Sequence, residues 1–320
     1  MGISSYLKDI GRGKDGARAL TRAQAGDLMG QVLDGQVSDL ALGAFCIAMR
    51  VKGETPEELA GFLDALHARL PATPPSQVPT VVLPSYNGAR KLPVLTPLLA
   101  LLLARQGVRV LVHGQTQDPD RVTSSEVLLA LHGEGSLPIH FPHSAGQLGG
   151  AAGVHFLPTR LLLPGLQALL DVRREIGLRN SAHSLVKLMQ PLPGALLVSS
   201  YTHPEYLHSM GLLLQLTGQH ALLLRGTEGE PVADPRRVPQ MDHFQDGVRR
   251  CVQAAQTGSL AQLPQLPASP DAGSTAAYIR AVLDGLQPVP TPIALQVHHL
   301  CSALAIAPPP AIQPPQETVS

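Results

Sequence analysis

Pro84-Ser85-Tyr86-Asn87-Gly88-Ala89-Arg90-Lys91 is the stretch of this chain most suited to chemistry. It lies between an apolar strand pattern and an apolar helix pattern. In α/β proteins that is where a glycine-rich loop holds a phosphate. Here the loop carries one glycine, Gly88, no acid, and two adjacent cations, Arg90 and Lys91. Positive charge is present, but the backbone freedom that lets N–H groups close around an anion is mostly missing. Further cations fall in two segments. Thr80 to Ser125 holds five basic residues (Arg90, Lys91, Arg105, Arg109, Arg121) against Asp118 and Asp120. Gly153 to Gln190 holds five more (Arg160, Arg173, Arg174, Arg179, Lys187) against Asp171 and Glu175. Arg105 and Arg109 fit solvated helix and strand ends, and Arg173 with Glu175 fits a structural ion-pair face. The candidates for gripping phosphate are Arg90, Lys91, Arg121, Arg174, Arg179 and Lys187, with His113 and His183 adding partial charge.

Other chemistry has weaker support. Among thirteen histidines, His140-x-x-His143 sits between prolines with no adjacent acid, and His298-His299 point in different helical directions. Neither has the spacing of a metal site, so none is expected. Ser124-Ser125 fit a cap for a helix beginning at Glu126 rather than nucleophiles. His203 and Tyr206 fit a cleft wall or an ordinary surface equally well. No Ser or Cys nucleophile has a readable base, so no catalytic residue is assigned.

The elements that must position these residues are legible. Thr21 with Gln24 makes a capping-box pattern before Ala25, Leu28, Met29, Val32 and Leu33. Thr55-Pro56-Glu57-Glu58 is a stronger helix start, followed by the stripe Leu59, Phe62, Leu63, Leu66. Leu40 to Met49 reads as a third, more buried helix between them. Residues 71–79 form a stiff proline-rich linker. A strand at Thr80–Leu83, a helix at Val94–Gln106 and a strand at Val108–His113 make a βαβ unit with the right-handed parallel crossover. Further strands are expected at Ala195–Ser199 and His220–Leu224, with late helices at about Ser274–Leu286 and Pro292–Leu304. This predicts an α/β protein with a small helical domain over 1–70, joined by about 165–190. A larger α/β domain follows over 80–305, then a flexible proline-rich tail over 306–320.

Composition narrows the options. The 320 residues are 44% hydrophobic and 15% charged, a globular composition with zero formal net charge. Attraction to a polyanion must therefore come from local clusters. Cys46, Cys251 and Cys301 lie far apart in apolar contexts and read as reduced core thiols, implying a cytoplasmic protein. No signal peptide or membrane span is evident, and no membrane partner is expected. Tryptophan is absent and aromatics are 3%, which argues against base stacking as the main binding mode.

Several segments resemble glycosyltransferase family 3, typified by anthranilate phosphoribosyltransferase. They are Leu33-Asp34-Gly35-Gln36-Val37-Ser38, Met49 to Gly61, Gly107 to Gly114 and Val172 to Arg179. The resemblance implies a small N-terminal all-α domain hinged to a larger α/β domain with a central, mostly parallel sheet. This is the nucleoside phosphorylase/phosphoribosyltransferase catalytic-domain type. It also implies a homodimer formed through the small domain, and phosphoribosyl pyrophosphate with magnesium as ligands of the family's enzymes.

The departures from that pattern carry as much information. The family's Gly-Thr-Gly-Gly-Asp loop is Pro84-Ser85-Tyr86-Asn87-Gly88 here, leaving Ser85, Asn87, Gly88 and Thr96 as a degenerate substrate loop. Its Asn-Ile-Ser-Thr helix start is Val94-Leu95-Thr96-Pro97, and its Ser-Ser-Lys is Pro119-Asp120-Arg121. The magnesium-binding Asp-Glu pair aligns near Pro231-Val232, with Glu228 and Glu230 close by but out of pattern. Arg179 to Leu188, Ser200 to Tyr206 and Leu224 to Pro231 resemble the YbiB-type subgroup, homologues described as DNA-binding. What that resemblance implies is nonspecific DNA or RNA binding by a homodimer without cofactor or turnover. The alternative is a pentosyltransferase using magnesium and phosphoribosyl pyrophosphate on an anthranilate-like or nucleobase acceptor.

Overall fold

The computed structural model describes the chain except residues 1, 14, 75, 77, 134, 136, 259–262 and 308–320. Most of the tail expected over 306–320 thus lies outside the described residues.

Four helices open the chain: α1 (Ser4–Ile10), α2 (Arg22–Leu33), α3 (Asp39–Lys52) and α4 (Pro56–His67). Both capping boxes form, Thr21 with Gln24 and Thr55 with Glu58. Glu58 does more than cap. It is fully buried, and its carboxylate accepts from Leu20 N at 2.9 Å, Thr55 N at 2.9 Å and Lys52 Nζ at 2.6 Å. A buried carboxylate is tolerated because each oxygen has a donor. Helix α3 departs from expectation. Only Phe45, Cys46 and Met49 are buried, whereas Leu40 is 87% and Val51 61% exposed. Its apolar run has two sides, and the bundle covers one of them.

An eight-stranded sheet follows, ordered β3-β4-β2-β1-β5-β6-β7-β8. The strands are β1 (Thr80–Ser85), β2 (Arg109–Gly114), β3 (Ile139–His140), β4 (Gly153–Pro158), β5 (Leu196–Tyr201), β6 (Ala221–Arg225), β7 (Met241–Gln245) and β8 (Val248–Gln253). Strands β1 to β6 run parallel, and β7 and β8 continue antiparallel. The remaining helices are α5 (Thr96–Arg105), α6 (Ser124–His132), α7 (Thr159–Leu162), α8 (Pro164–Ile176), α9 (Ala182–Leu188), α10 (Glu205–Thr217), α11 (Ala272–Leu283) and α12 (Thr291–Ala303). Val82, Leu111, Leu197 and Leu223 face one core with the N-terminal helices, α8, α9 and α10. Val81, Leu83, Val110 and Leu222 face a second core with α5, α6, α11 and α12. Burial on both faces explains why the strands are nearly continuous apolar runs.

Details differ from the sequence reading for local reasons. Strand β1 runs two residues further, pairing Pro84 with His113 and Ser85 with Gly114. Thr123, not Ser124 or Ser125, caps α6, in a capping box with Glu126. Arg109 is buried rather than solvated, donating to Thr80 Oγ1 and the Gly149 carbonyl, each at 3.3 Å. Cys251 is exposed on edge strand β8, while Cys46 and Cys301 are buried.

Helices α2 and α4 cross where Gly61 meets the Arg22 carbonyl, and a Cβ there would drive into that oxygen. Gly61→Ala is expected to destabilise the protein by about 1–3 kcal/mol through overpacking, read as a lower urea midpoint.

Candidate phosphate-facing cleft

Strand order reverses between β1 and β5, because β2 lies on one side of this pair and β6 on the other. In open α/β sheets the crevice beyond the carboxyl ends of such strands is the ligand position. Three loops meet there: 86–95 after β1, 202–204 after β5, and 226–230 after β6.

Two carboxylates of the third loop fill the first. Glu228 accepts three backbone N–H bonds, from Arg90 at 3.1 Å, Lys91 at 2.8 Å and Leu92 at 2.9 Å. Glu230 accepts from Gly88 N at 2.8 Å, from Thr96 Oγ1 at 3.1 Å, and from Ser85 Oγ. Ser85 in turn lies 2.6 Å from Ser124 Oγ. Successive N–H groups converging on one oxyanion form the kind of nest that holds phosphate. Here the protein's own side chains occupy it. The geometry demands an unusual backbone, since Glu228 has φ +51°, in the left-handed region. Gly229 at φ +88° lies against the Asn87 amide, leaving no space for a Cβ.

Behind this plug sits Lys187, 9% exposed, donating to the Ser200 carbonyl at 3.2 Å. Burial lowers its pKa to about 8, Glu230 works against that shift, and Arg179 adds to it. Burial likewise pushes the Glu230 pKa up, opposed by the bonds from Ser85, Gly88 and Thr96 and by Lys187. Both shifts follow from placing ionisable groups where water cannot solvate them.

The cations expected to grip phosphate separate into three sets. Arg90 and Lys91 are exposed, their N–H groups on Glu228. Arg121 and Arg179 converge on the loop. Arg121 donates to the Gly88 carbonyl at 3.2 Å and lies 3.7 Å from Glu228, and Arg179 donates to Asn87 Oδ1 at 3.3 Å. Burial first, then the like charges of Arg173 and Arg121, lower the Arg179 pKa. Arg121 and Arg179 thus brace the same loop, through Gly88 and Asn87. Arg174 stands apart on α8, 3.7 Å from Asp171. The third set is interior. Lys187 points to the plug, and His113 and His183 are buried, with burial lowering each pKa to about 3. The partial charge expected of the two histidines is absent, because both rings are neutral.

Sequence reasoning missed four contributors. Arg173 forms no ion pair with Glu175 among the described residues, and its charge helps lower the Arg179 pKa. Arg50 reaches from α3 to the Arg179 carbonyl at 3.4 Å. Glu228 and Glu230 were noted only as acids out of pattern. The alternation Gly226-x-Glu228-Gly229-Glu230 was the available signal. Tyr86 of the same loop is buried, its ring edge-on to His183 at 5.6 Å between centroids.

Comparison with known proteins agrees with this architecture. The glycosyl transferase family helical bundle domain matches residues 4–69. YbiB of Escherichia coli (strain K12), an uncharacterized protein, is 39% identical over 303 residues, 93% of this chain and 92% of that one. Anthranilate phosphoribosyltransferase of Beijerinckia indica subsp. indica is 29% identical over 297 residues, 90% of this chain and 84% of that one. The solved anthranilate phosphoribosyltransferase of Thermus thermophilus has a TM-score of 0.72 at 23% identity, covering 95% of this chain and 90% of that one. The enzyme from Saccharomyces cerevisiae, in complex with PRPP and Mg, has a TM-score of 0.65 at 14% identity, covering 95% and 89%. At these identities the two structures establish the fold alone.

The buried lysine makes a measurable pH signature. Between about pH 8 and 10.5 the unfolded chain keeps the Lys187 proton and the folded chain has lost it, so this site's contribution to stability rises with pH. The rise is expected to reach on the order of 3 kcal/mol. Urea unfolding across that range should show it in the parent protein, and Lys187→Met should remove it.

Proposed function

We propose that this chain, which belongs to the anthranilate phosphoribosyltransferase-like glycosyltransferase family 3, is a noncatalytic member. In this reading it binds DNA or RNA without sequence preference, through phosphates along its Arg/Lys-lined cleft. The observation that carries the reading is the plugged loop. The donors a sugar diphosphate would need are engaged by Glu228 and Glu230, while Arg90, Lys91 and Arg173 have no carboxylate partner for their side chains among the described residues. The cations are left for an anion outside the plug.

The residues present also do not fit magnesium. Pro231 and Val232 stand where the family's acid pair aligns, and neither offers the carboxylate a hard cation prefers. Glu228 and Glu230 each already accept three hydrogen bonds from protein donors. Among the described residues no group of three His, Cys, Asp or Glu could hold a metal ion.

A cytoplasmic homodimer is part of the proposal. Leu7, Ile10, Ala44, Ile47, Ala48 and Val51 line an apolar groove of about 400 Å³ between α1 and α3. With exposed Leu40 beside it, this face suits a second copy of the chain. A dimer would double the basic surface and steepen the salt dependence. No helix among the described residues is long and apolar enough to cross a membrane.

Calorimetric titration of the intact protein is expected to show binding of a mixed-sequence oligonucleotide and none of phosphoribosyl pyrophosphate with magnesium. The reverse pattern would reject the reading. Arg90→Glu with Lys91→Glu should weaken oligonucleotide binding at low salt and reduce the log–log salt slope by about two. Light scattering should give a dimer mass, and Leu40→Glu with Val51→Glu should halve it.

A further inference from the structure

We propose that the rim of this cleft is shaped for single-stranded nucleic acid, with the Tyr206 ring as the platform on which one base stacks. The inference rests on the polyanion-binding reading and narrows it to one form of nucleic acid.

Tyr206 is the second residue of α10, just beyond the carboxyl end of β5 and so on the crevice side of the sheet. It is 44% exposed, and no other Tyr or Phe among the described residues is as open to solvent. His203 flanks it at 6.5 Å between ring centroids, with 47° between the planes. At that tilt and separation the imidazole does not stack on the phenol ring. The β1 loop, beyond the neighbouring strand, carries Arg121 on the Gly88 carbonyl and Arg179 on Asn87 Oδ1 at the same end of the sheet. An accessible aromatic ring therefore shares the crevice rim with two guanidinium groups.

This pairing of groups matches single-strand recognition. Cations track the phosphates, and an aromatic ring takes a base whose face is free. In a duplex each base is already paired and stacked, so no face is available to a ring at the protein surface. Stacking tolerates any base, because every base has a π-face, and it adds affinity without sequence preference. The other tyrosine of the cleft cannot serve, since Tyr86 is 5% exposed with its ring edge-on to His183. Low aromatic content argued against stacking on average, yet one ring placed beside the arginines suffices.

Fluorescence anisotropy on the intact protein tests this with three probes of equal length. They are a mixed-sequence single strand, the corresponding duplex, and a strand of abasic backbone. Tyr206→Ala is expected to weaken single-strand binding about tenfold. It should leave the duplex and abasic probes within about twofold, because backbone contacts remain. Tyr206→Phe should keep the parent affinity. If Tyr206→Ala leaves the single strand unchanged, or weakens the abasic probe as much, the platform is wrong. Arg173→Glu with Arg179→Glu separates the two levels. Should it weaken all three probes while Tyr206→Ala weakens none, phosphate binding stands and the platform alone falls. If the parent protein binds none of the probes, both readings fall together.

Discussion

Two carboxylates, Glu228 and Glu230, hold this cleft in its form. Between them they engage the N–H groups of Gly88, Arg90, Lys91 and Leu92 and the hydroxyls of Ser85 and Thr96. A carboxylate accepting two or three such bonds is strongly retained, and the donors of Ser85, Gly88 and Thr96 would otherwise be buried without partners. The β1–α5 loop is thereby fixed to the β6 loop across the crevice. Positive φ at Glu228 and Gly229 is the local conformational cost.

That contact organises the charges around it. With the backbone donors directed inward, the side chains of Arg90 and Lys91 are exposed. Arg121 braces the Gly88 carbonyl and Arg179 braces Asn87, which brings two like charges to one loop. Mutual repulsion of guanidinium groups is tolerable at a solvated rim, and an arriving polyanion would relieve it. Lys187 and Glu230 sit beneath, their charges opposed by burial, so the floor of the cleft is less polar than its residue types suggest. In the proposed function the loop is thus a rigid support for cations rather than a receptor for diphosphate.

Much of the fold was readable because its determinants are local. Thr21, Thr55 and Pro56 announce helix starts, and β1, β2, β5 and β6 are apolar runs of strand length. The β7–β8 hairpin was missed although Asp246-Gly247, both at positive φ, is a strong turn signal. Strand β3 has only two residues, too few for a period to emerge. The site was less legible, because its defining bonds join residues far apart in sequence, such as Gly88 to Glu230 and Arg90 to Glu228. Residue type also misled where tertiary burial decides protonation. His113, His183 and Lys187 read as cations but lie in the interior.

The most direct measurement is an amide-resolved NMR titration with phosphoribosyl pyrophosphate and magnesium. The account predicts that the Gly88, Arg90, Lys91 and Leu92 amide resonances stay in place, because their donors are already engaged. Saturable shifts at those four amides would mean that the ligand displaces the two glutamates, and would contradict it.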